Sequence, residues 1–159
     1  MHYRTFGRTG WKVSEIAFGG WQLGGQWGEV DDEASIATLL HAFERGVNFV
    51  DTAEYYGEGH SEVGIGEALR RWDGDKVYVA TKVRPVQWPP PGEDDPQMAG
   101  RYPEWYVRQN VEQSLKRLGV ECLDLFQLHG WFRDGMDAWP DEERASAHGV
   151  AVRPGCSPR

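Results

Sequence analysis

Strand-like and helix-like patterns alternate along this chain, and that alternation restricts its fold more than any other feature. Short apolar runs at residues 15–18, 47–51, 76–83 and 122–131 predict strands. The segments between them carry apolar residues at helical spacing. Strands that alternate with helices form parallel sheets, because a parallel pair needs a long crossover connection. The sequence therefore predicts an α/β protein whose parallel sheet is covered by helices.

The predicted elements carry recognisable boundary signals. Two glycine-centred turns between short apolar stretches near the N-terminus suit a small β-hairpin. Asp31 or Asp32 is the predicted N-cap of the first helix, and Ser61 that of the second. Pro103 is expected in the first turn of the third helix, and Gly119 directly after its end.

The charge and composition of the chain argue against several classes of protein. Its 25 acidic and 17 basic residues give a net charge of −8, which disfavours general nucleic-acid binding. The N-terminal residues lack the apolar segment of a signal peptide, and no apolar run approaches the ~20 residues that span a bilayer. Cys122 and Cys156 form no CxxC pair, so we predict no metal site and a reducing, cytoplasmic setting.

Polar residues stand at three of the points where predicted strands end. Asp51 ends the second strand, Lys82 the third and His129 the fourth, while Tyr56 follows in the loop after Asp51. Each residue alone has a structural explanation, as a turn former, a surface lysine, a core histidine or a packed ring. Functional residues gather at the carboxyl edge of parallel sheets, so their joint placement favours an active site.

This set of side chains is typical of a site that protonates a carbonyl oxygen during reduction. A tyrosine hydroxyl is a weak acid, and a neighbouring lysine ammonium stabilises its ionised form. Asp51 would hold the lysine charged, and His129 would help to donate a hydrogen bond to the substrate oxygen. No side chain delivers hydride, so the reaction needs a nicotinamide or flavin cofactor.

Several motifs together resemble those of the aldo-keto reductases. They are "FGGW", "FVDTAEYYGEGHSEVGIGEAL", "VATKV" and "RQNVEQSLKRLGVECLDLFQLH", which spread over about residues 3–131. The resemblance implies a (β/α)8 barrel of the TIM type, closed at its bottom by an N-terminal hairpin, and NADPH as the usual cofactor. It also implies a small carbonyl compound as the substrate.

The resemblance further implies roles for individual residues. The expected catalytic tetrad consists of Asp51, Tyr56, Lys82 and His129. The residues expected against NADPH are Gly20, Trp21 and Asp51. The residues expected around the substrate are Trp21, Trp88 and Trp131. Tyr55 lies one residue too early for the family spacing, and we expect it to pack rather than to act as the proton donor.

The chain departs from the family pattern after its fourth strand. A full barrel needs about 250 residues, whereas residues 1–140 correspond to an N-terminal half barrel of about four βα units preceded by a hairpin. We predict an irregular tail over residues 141–159. After Glu143 this tail contains three arginines and no acidic residue. Such a change of composition is expected of a fragment gene or of an altered reading frame. We therefore expect weak NADPH binding and self-association through the exposed edges of the sheet.

Two other functions stay open beside the leading prediction of NADPH-dependent aldehyde or ketone reduction. A Schiff-base aldolase would also place a reactive lysine, here Lys82, at the end of a barrel strand. A barrel-derived binding or regulatory module, or an inactive fragment, would keep the fold without the chemistry, as channel-associated relatives of the family do.

Overall fold

A small antiparallel hairpin precedes a parallel sheet flanked by helices. The computed structural model describes residues 1–87 and 98–129. Its strands are β1 (Tyr3–Thr5), β2 (Lys12–Ser14), β3 (Phe18–Gly19), β4 (Phe49–Asp51), β5 (Tyr78–Val83) and β6 (Leu125–Leu128). Its α-helices are α1 (Asp32–Glu44), α2 (His60–Arg71), α3 (Met98–Arg101) and α4 (Glu104–Leu118), and turns of 3-10 helix lie at Gly7–Thr9 and Trp21–Gly24.

The four strands after the hairpin form one parallel sheet in the order β3–β4–β5–β6. Each strand therefore lies beside the next one along the chain, as in the wall of a (β/α) barrel. The register aligns Asp51 with Ala80 and Ala80 with Leu125. Because side chains alternate along a strand, these aligned residues point to the same face of the sheet. The predicted hairpin and parallel sheet are confirmed.

The helices pack on the opposite face, where the apolar core lies. The strand residues buried there are Val50, Val79, Val83 and Phe126. The helix residues buried against them are Ile36, Leu39, Phe43, Ile65 and Leu118. Full burial of one such side chain stabilises the fold by about 1.5–3 kcal/mol. This helix-covered face, the outer face, makes the sheet rigid. The inner face, which carries Asp51, depends on that rigidity.

The hairpin covers one end of the inner face with aromatic side chains. Phe49 and Tyr78 are aligned across β4 and β5, on the face that also carries Asp51. The ring of Phe6 lies 5.4 Å from that of Phe49, and Trp11 stacks on Tyr78 at 4.8 Å. Such pairs add about 0.5–1.5 kcal/mol beyond their burial. The hairpin therefore closes the amino-terminal end of the strands, away from the end where Asp51 lies.

The N-terminus of α2 differs from its prediction. Asp31 caps α1 as predicted, since its Oδ1 accepts a hydrogen bond from the backbone nitrogen of Ala34 at 2.8 Å. In α2, however, Gly59 occupies the N-cap position with φ 94°, and the helix begins at His60. Ser61 lies buried inside the first turn. The N-cap prediction for Ser61 is wrong because its hydroxyl bonds to neighbouring elements instead of to its own helix.

Other boundaries also shift. Pro103 precedes α4 in extended backbone, with ψ 144°, rather than lying inside the first turn, whereas Gly119 ends the helix in the left-handed conformation as predicted. The first strand of the sheet is shorter than predicted and starts later, at Phe18.

Cys122 is disulfide-bonded, which differs from the expectation of reduced cysteines. None of the described helices is both long and apolar enough to cross a membrane. Residues 141–159, the predicted tail, lie outside the described residues.

Candidate active site

Lys82 is the centre of a hydrogen-bonded cluster at the carboxyl edge of the sheet. Its Nζ lies 2.6 Å from Oδ1 of Asp51, 2.8 Å from the carbonyl oxygen of Thr52 and 3.3 Å from the hydroxyl of Tyr56. A lysine ammonium has three donors, and each of them has an acceptor here. The Lys82 side chain is 14% exposed and that of Asp51 is 39% exposed, so the ion pair reaches from the protein interior to its surface.

The register of the sheet explains why these side chains meet. Asp51 is aligned with Ala80, and Lys82 follows two residues later on β5, so both charged side chains point to the inner face. The backbone nitrogen of Thr52 donates to the carbonyl of Ala80 at 2.8 Å, so pairing continues one residue past the end of β4. The loop then turns and brings Tyr56 back over Lys82.

His129 joins the cluster from the neighbouring strand. Its backbone nitrogen donates to the carbonyl of Val83 at 2.7 Å, which extends the β5–β6 ladder to the edge. Its imidazole lies 5.6 Å from the ring of Tyr56, at 87° to it. Burial lowers the pKa of His129, the Lys82 ammonium lowers it further, and the Asp51 carboxylate opposes both effects. The imidazole is therefore neutral at pH 7.

Gly20 is held closely between β4 and α2. Its backbone nitrogen donates to the carbonyl of Asp51 at 2.7 Å, and its own carbonyl accepts from the hydroxyl of Ser61 at 2.7 Å. A Cβ at position 20 would lie 2.7 Å from Ser61 Oγ and 3.1 Å from the Asp51 carbonyl oxygen, so a larger residue does not fit. Ser61 Oγ also lies 2.8 Å from Oγ1 of Thr52. This buried network, which the sequence did not predict, holds the backbone around Asp51.

Aromatic rings form a surface beside Tyr56. Trp21 stacks on the Tyr56 ring at 6.0 Å and 17°, and it is 47% exposed. Trp27, which the sequence did not single out, lies 5.1 Å from Trp21 and is 66% exposed. Trp88 and Trp131, the other residues predicted around the substrate, lie outside the described residues.

A second charged group borders the cluster. Glu54 is 5% exposed and accepts a hydrogen bond from the backbone nitrogen of Arg84 at 2.9 Å. Burial raises the pKa of Glu54, while the hydrogen bond and the positive charge of Arg84 oppose that rise. The Arg84 guanidinium binds the carboxylate of Glu58 through two 2.9 Å hydrogen bonds. It also lies 5.2 Å from the ring of Tyr55, whose ring is 6.1 Å from that of His129.

These features can be compared with known proteins. Residues 15–150 match the model of the Aldo/keto reductase family. Aldo-keto reductase YhdN of Bacillus subtilis is 34% identical over 143 residues, which cover 89% of this chain and 39% of that protein. A probable voltage-gated potassium channel subunit beta of Arabidopsis thaliana is 31% identical in an alignment that covers 96% of this chain and 51% of that protein.

A solved structure of an aldo-keto reductase also aligns with this chain. The aldo-keto reductase AKR11C1 from Bacillus halodurans, in its holo form, aligns with a TM-score of 0.64 and 32% identity, over 92% of this chain and 45% of that one. The sheet with its outer helices is thus part of an α/β barrel of the TIM type, which confirms the predicted fold class. The chain spans 39–51% of the length of these three relatives.

Proposed function

The chain belongs to the Aldo/keto reductase family, and we propose that its site reduces an aldehyde or ketone to an alcohol with hydride from NADPH. One observation carries this proposal. The Nζ of Lys82 contacts both a carboxylate oxygen of Asp51, at 2.6 Å, and the hydroxyl of Tyr56, at 3.3 Å. A fixed positive charge beside a phenolic hydroxyl is the arrangement that lets this weak acid act at neutral pH.

Tyr56 is the proton donor in this proposal. Because Lys82 donates to the phenolic oxygen, the hydrogen of that hydroxyl is available to a substrate oxygen. The bound nicotinamide would supply hydride to the carbonyl carbon. Negative charge that develops on the carbonyl oxygen is then neutralised by the Tyr56 proton. The Lys82 ammonium stabilises the phenolate left behind, and Asp51 keeps that ammonium in position.

His129 assists as a neutral hydrogen-bond donor. Its imidazole stands next to the Tyr56 ring, on the same inner face of the sheet. Burial and the Lys82 charge lower its pKa, so it adds no second positive charge beside the ammonium. A neutral imidazole still carries one N–H, which can be directed at the same substrate oxygen as the Tyr56 hydroxyl.

Gly20, Trp21 and Asp51 are the residues that would hold the nicotinamide. The close packing of Gly20 fixes the backbone between β3 and the 3-10 turn, directly behind the carbonyl of Asp51. The exposed face of Trp21 continues the aromatic surface of Tyr56. A flat, amphipathic ring can stack on such a surface within reach of the proton donor, and this fit supports the choice of cofactor.

The hydrogen bonds of Lys82 favour reduction over Schiff-base chemistry. A lysine attacks a carbonyl carbon only as a free amine with an available lone pair. Here the nitrogen donates to three acceptors, one of which is the carboxylate of Asp51. A nitrogen that donates to three acceptors presents no lone pair to a substrate carbon, which argues against an aldolase.

Adjacent tyrosines provide a direct test of the proposal. We expect Tyr56→Phe to lower kcat for NADPH-dependent carbonyl reduction by about 10²–10⁴-fold, the usual contribution of a positioned acid. Tyr55→Phe keeps the ring that contacts Arg84 and His129 and should retain most of the activity. The measurement is the loss of NADPH absorbance with a panel of aldehydes and ketones. Equal activity of the parent and Tyr56→Phe would reject the assignment of Tyr56.

A regulatory module is the second candidate, because the channel subunit aligns with 96% of this chain. In that case the chain would show no measurable carbonyl reduction. Isothermal titration of the purified chain with NADPH and with NADH, beside the activity assay, separates the two functions. NADPH binding without reduction of any carbonyl in the panel would favour the module, and turnover that depends on Tyr56 would favour the reductase.

A further inference from the structure

The loop that carries Tyr56 is fastened to the end of β5 by one bidentate ion pair. Both terminal nitrogens of Arg84 donate to the carboxylate of Glu58, each at 2.9 Å. Glu58 has φ 53°, and it is the one non-glycine residue with positive φ among the described parts of the chain. A non-glycine residue in this conformation costs free energy unless its surroundings hold it in place. The fork of Arg84 provides such a constraint two residues after Tyr56.

Arg84 is itself fixed from several sides. Its backbone nitrogen donates to the buried carboxylate of Glu54 at 2.9 Å. Its side-chain Nε also lies 3.6 Å from Oε1 of Glu54. The Arg84 side chain is 30% exposed and that of Glu58 is 70% exposed, and exposed ion pairs add little to overall stability. The Arg84–Glu58 pair therefore matters for its two-pronged geometry, which orients the guanidinium, and not for its strength.

The ring of Tyr55 lies between this ion pair and the candidate active site. The guanidinium carbon of Arg84 is 5.2 Å from the centre of the Tyr55 ring, the distance of a cation–π contact. The centre of that ring is in turn 6.1 Å from the imidazole of His129, at 77°. Tyr56 packs against the same imidazole at 5.6 Å and 87°. His129 therefore contacts two roughly perpendicular tyrosine rings from one loop.

We propose that Arg84, clamped by Glu58, positions the His129 imidazole through the Tyr55 ring that lies between them. Arg84 and Tyr55 are then positioning residues, since neither has to touch the substrate or the cofactor. The consequence for catalysis rests on the proposed function, whereas the position of the imidazole does not. A small displacement of a hydrogen-bond donor at a reacting oxygen lowers the rate strongly, by up to roughly 100-fold.

Nuclear magnetic resonance of the imidazole tests the positioning directly. The chain contains five histidines, so protein with isotope-labelled histidine gives few signals, and His129→Asn assigns the one of interest. Ring currents of Tyr55 and Tyr56 displace that signal from its position in a free peptide. We expect Arg84→Met and Tyr55→Leu to move it towards the free-peptide position. Arg84→Lys should move it as well, because an ammonium cannot make the two-pronged contact.

The control is a second bidentate pair remote from the site. Arg71 binds the carboxylate of Glu33 through two hydrogen bonds of 2.8 and 2.9 Å, between α2 and α1. Arg71→Met should leave the His129 signal in place. The double variant Arg84→Glu with Glu58→Arg exchanges the charges of the clamp, so that the ion pair can form again. The His129 signal should then lie part of the way back towards its position in the parent. Circular dichroism shows which variants are folded, and Arg84→Lys provides the test if Arg84→Met is not.

The two proposals fail in different measurements. An unmoved His129 signal in folded Arg84→Met, or in Arg84→Lys if Arg84→Met is unfolded, would overturn the positioning, whatever the activity. If the parent is an active reductase, we also expect kcat of Arg84→Met to fall by roughly 10- to 100-fold, with the KM for NADPH nearly unchanged. A moved signal in a chain without turnover would support the positioning and count against the proposed function.

Discussion

The Nζ of Lys82 lies 2.6 Å from Oδ1 of Asp51, although 31 residues separate the two in the chain. The contact depends on the parallel register, which aligns Asp51 with Ala80 and so puts both side chains on the inner face. The contact lies at the carboxyl edge of the sheet, which is where α/β barrels place their active sites. The charge of Lys82 is thereby held next to Tyr56, and the carbonyl of Thr52 in the following loop is a further acceptor.

Removal of the Lys82 charge should stop the proposed reaction while leaving the fold intact. We expect Lys82→Met to lower kcat by about 10²–10⁴-fold, because the phenolate of Tyr56 loses its stabilising neighbour. Lys76→Met is the control, since Lys76 pairs with Asp124 outside the cluster at 3.0 Å. NADPH absorbance measures turnover, and circular dichroism confirms folding. Similar activity of the two variants would contradict the role of Lys82.

Adding a methyl group to Gly20 should disturb the backbone around Asp51. The Cβ of alanine would meet Ser61 Oγ at 2.7 Å, closer than such atoms approach each other. We expect Gly20→Ala to lower the free energy of unfolding by about 1–3 kcal/mol, as overpacking does. Gly64→Ala is the control, because a Cβ there meets nothing within 4 Å and alanine favours the helix by up to ~1 kcal/mol. Urea unfolding compares the two variants.

Rescue identifies the cause of that loss. The double variant Gly20→Ala with Ser61→Ala removes the hydroxyl that the new methyl group meets. If the close contact is responsible, the double variant should be less destabilised than the sum of its single changes. Simple addition of the two effects would show that the backbone, and not Ser61, resists the larger residue.

The strand–helix alternation was sufficient to predict the sheet, because periodicity is a local property of the sequence. The observed strand Tyr78–Val83 shows this, since it lies within the strand predicted at residues 76–83 and shares its end. The meeting of Asp51 with Lys82 also followed from pattern, once both were placed at the ends of parallel strands. Ser61 shows the limit of local reasoning. A serine directly before a helical pattern predicts a helix cap, and only the close approach of Gly20 reveals the actual partner of Ser61.

The charged group around Arg84 had no sequence signal of its own. Glu54, Glu58 and Arg84 are common surface residue types, and their contacts depend on where the loop turns. Trp27 is similar, because its position beside Trp21 follows from the 3-10 turn and the glycines around it. Side-chain contacts between loops arise from backbone geometry that local spacing does not encode. Sequence reasoning therefore found residues at strand ends more readily than residues that act through a neighbour.

Breaking the buried ion pair in the first turn of α2, directly after the loop that carries Tyr56, should destabilise the fold strongly. The side chain of Glu62 is fully buried, and its two oxygens accept hydrogen bonds from Arg117 Nε and Thr81 Oγ1, both at 2.6 Å. Glu62→Ala leaves a guanidinium without its carboxylate, which typically costs about 3–5 kcal/mol. The surface residue Glu67 pairs with Arg70 and Arg71, so Glu67→Ala should cost no more than about 1 kcal/mol.

Urea unfolding of the two variants measures this difference. The m-value should stay near that of the parent in both, since neither change alters the surface exposed on unfolding very much. A loss in Glu62→Ala as small as that in Glu67→Ala would show that water or rearranged side chains replace the buried carboxylate.

The neutral imidazole of His129 should make stability depend on pH. Burial and the charge of Lys82 lower its pKa below the ordinary value of 6.5. Between these two values the unfolded chain binds a proton that the folded chain does not, so stability rises with pH across that window. Acidification from above 6.5 towards the folded pKa therefore removes stability, and further acidification has no additional effect through this group.

The contribution of His129 can be isolated by comparing variants at two pH values. Urea unfolding should show that the parent loses more free energy of unfolding between about pH 7.5 and about pH 5.5 than His129→Gln does, because glutamine does not titrate. His41→Gln is the control, since His41 is 63% exposed and lies beside Glu44 on the surface of α1. The free energy of unfolding that His41→Gln loses between the two pH values should equal the loss in the parent. An equal loss in His129→Gln would mean that the unfolded and folded chains bind this proton alike, contrary to a buried neutral imidazole.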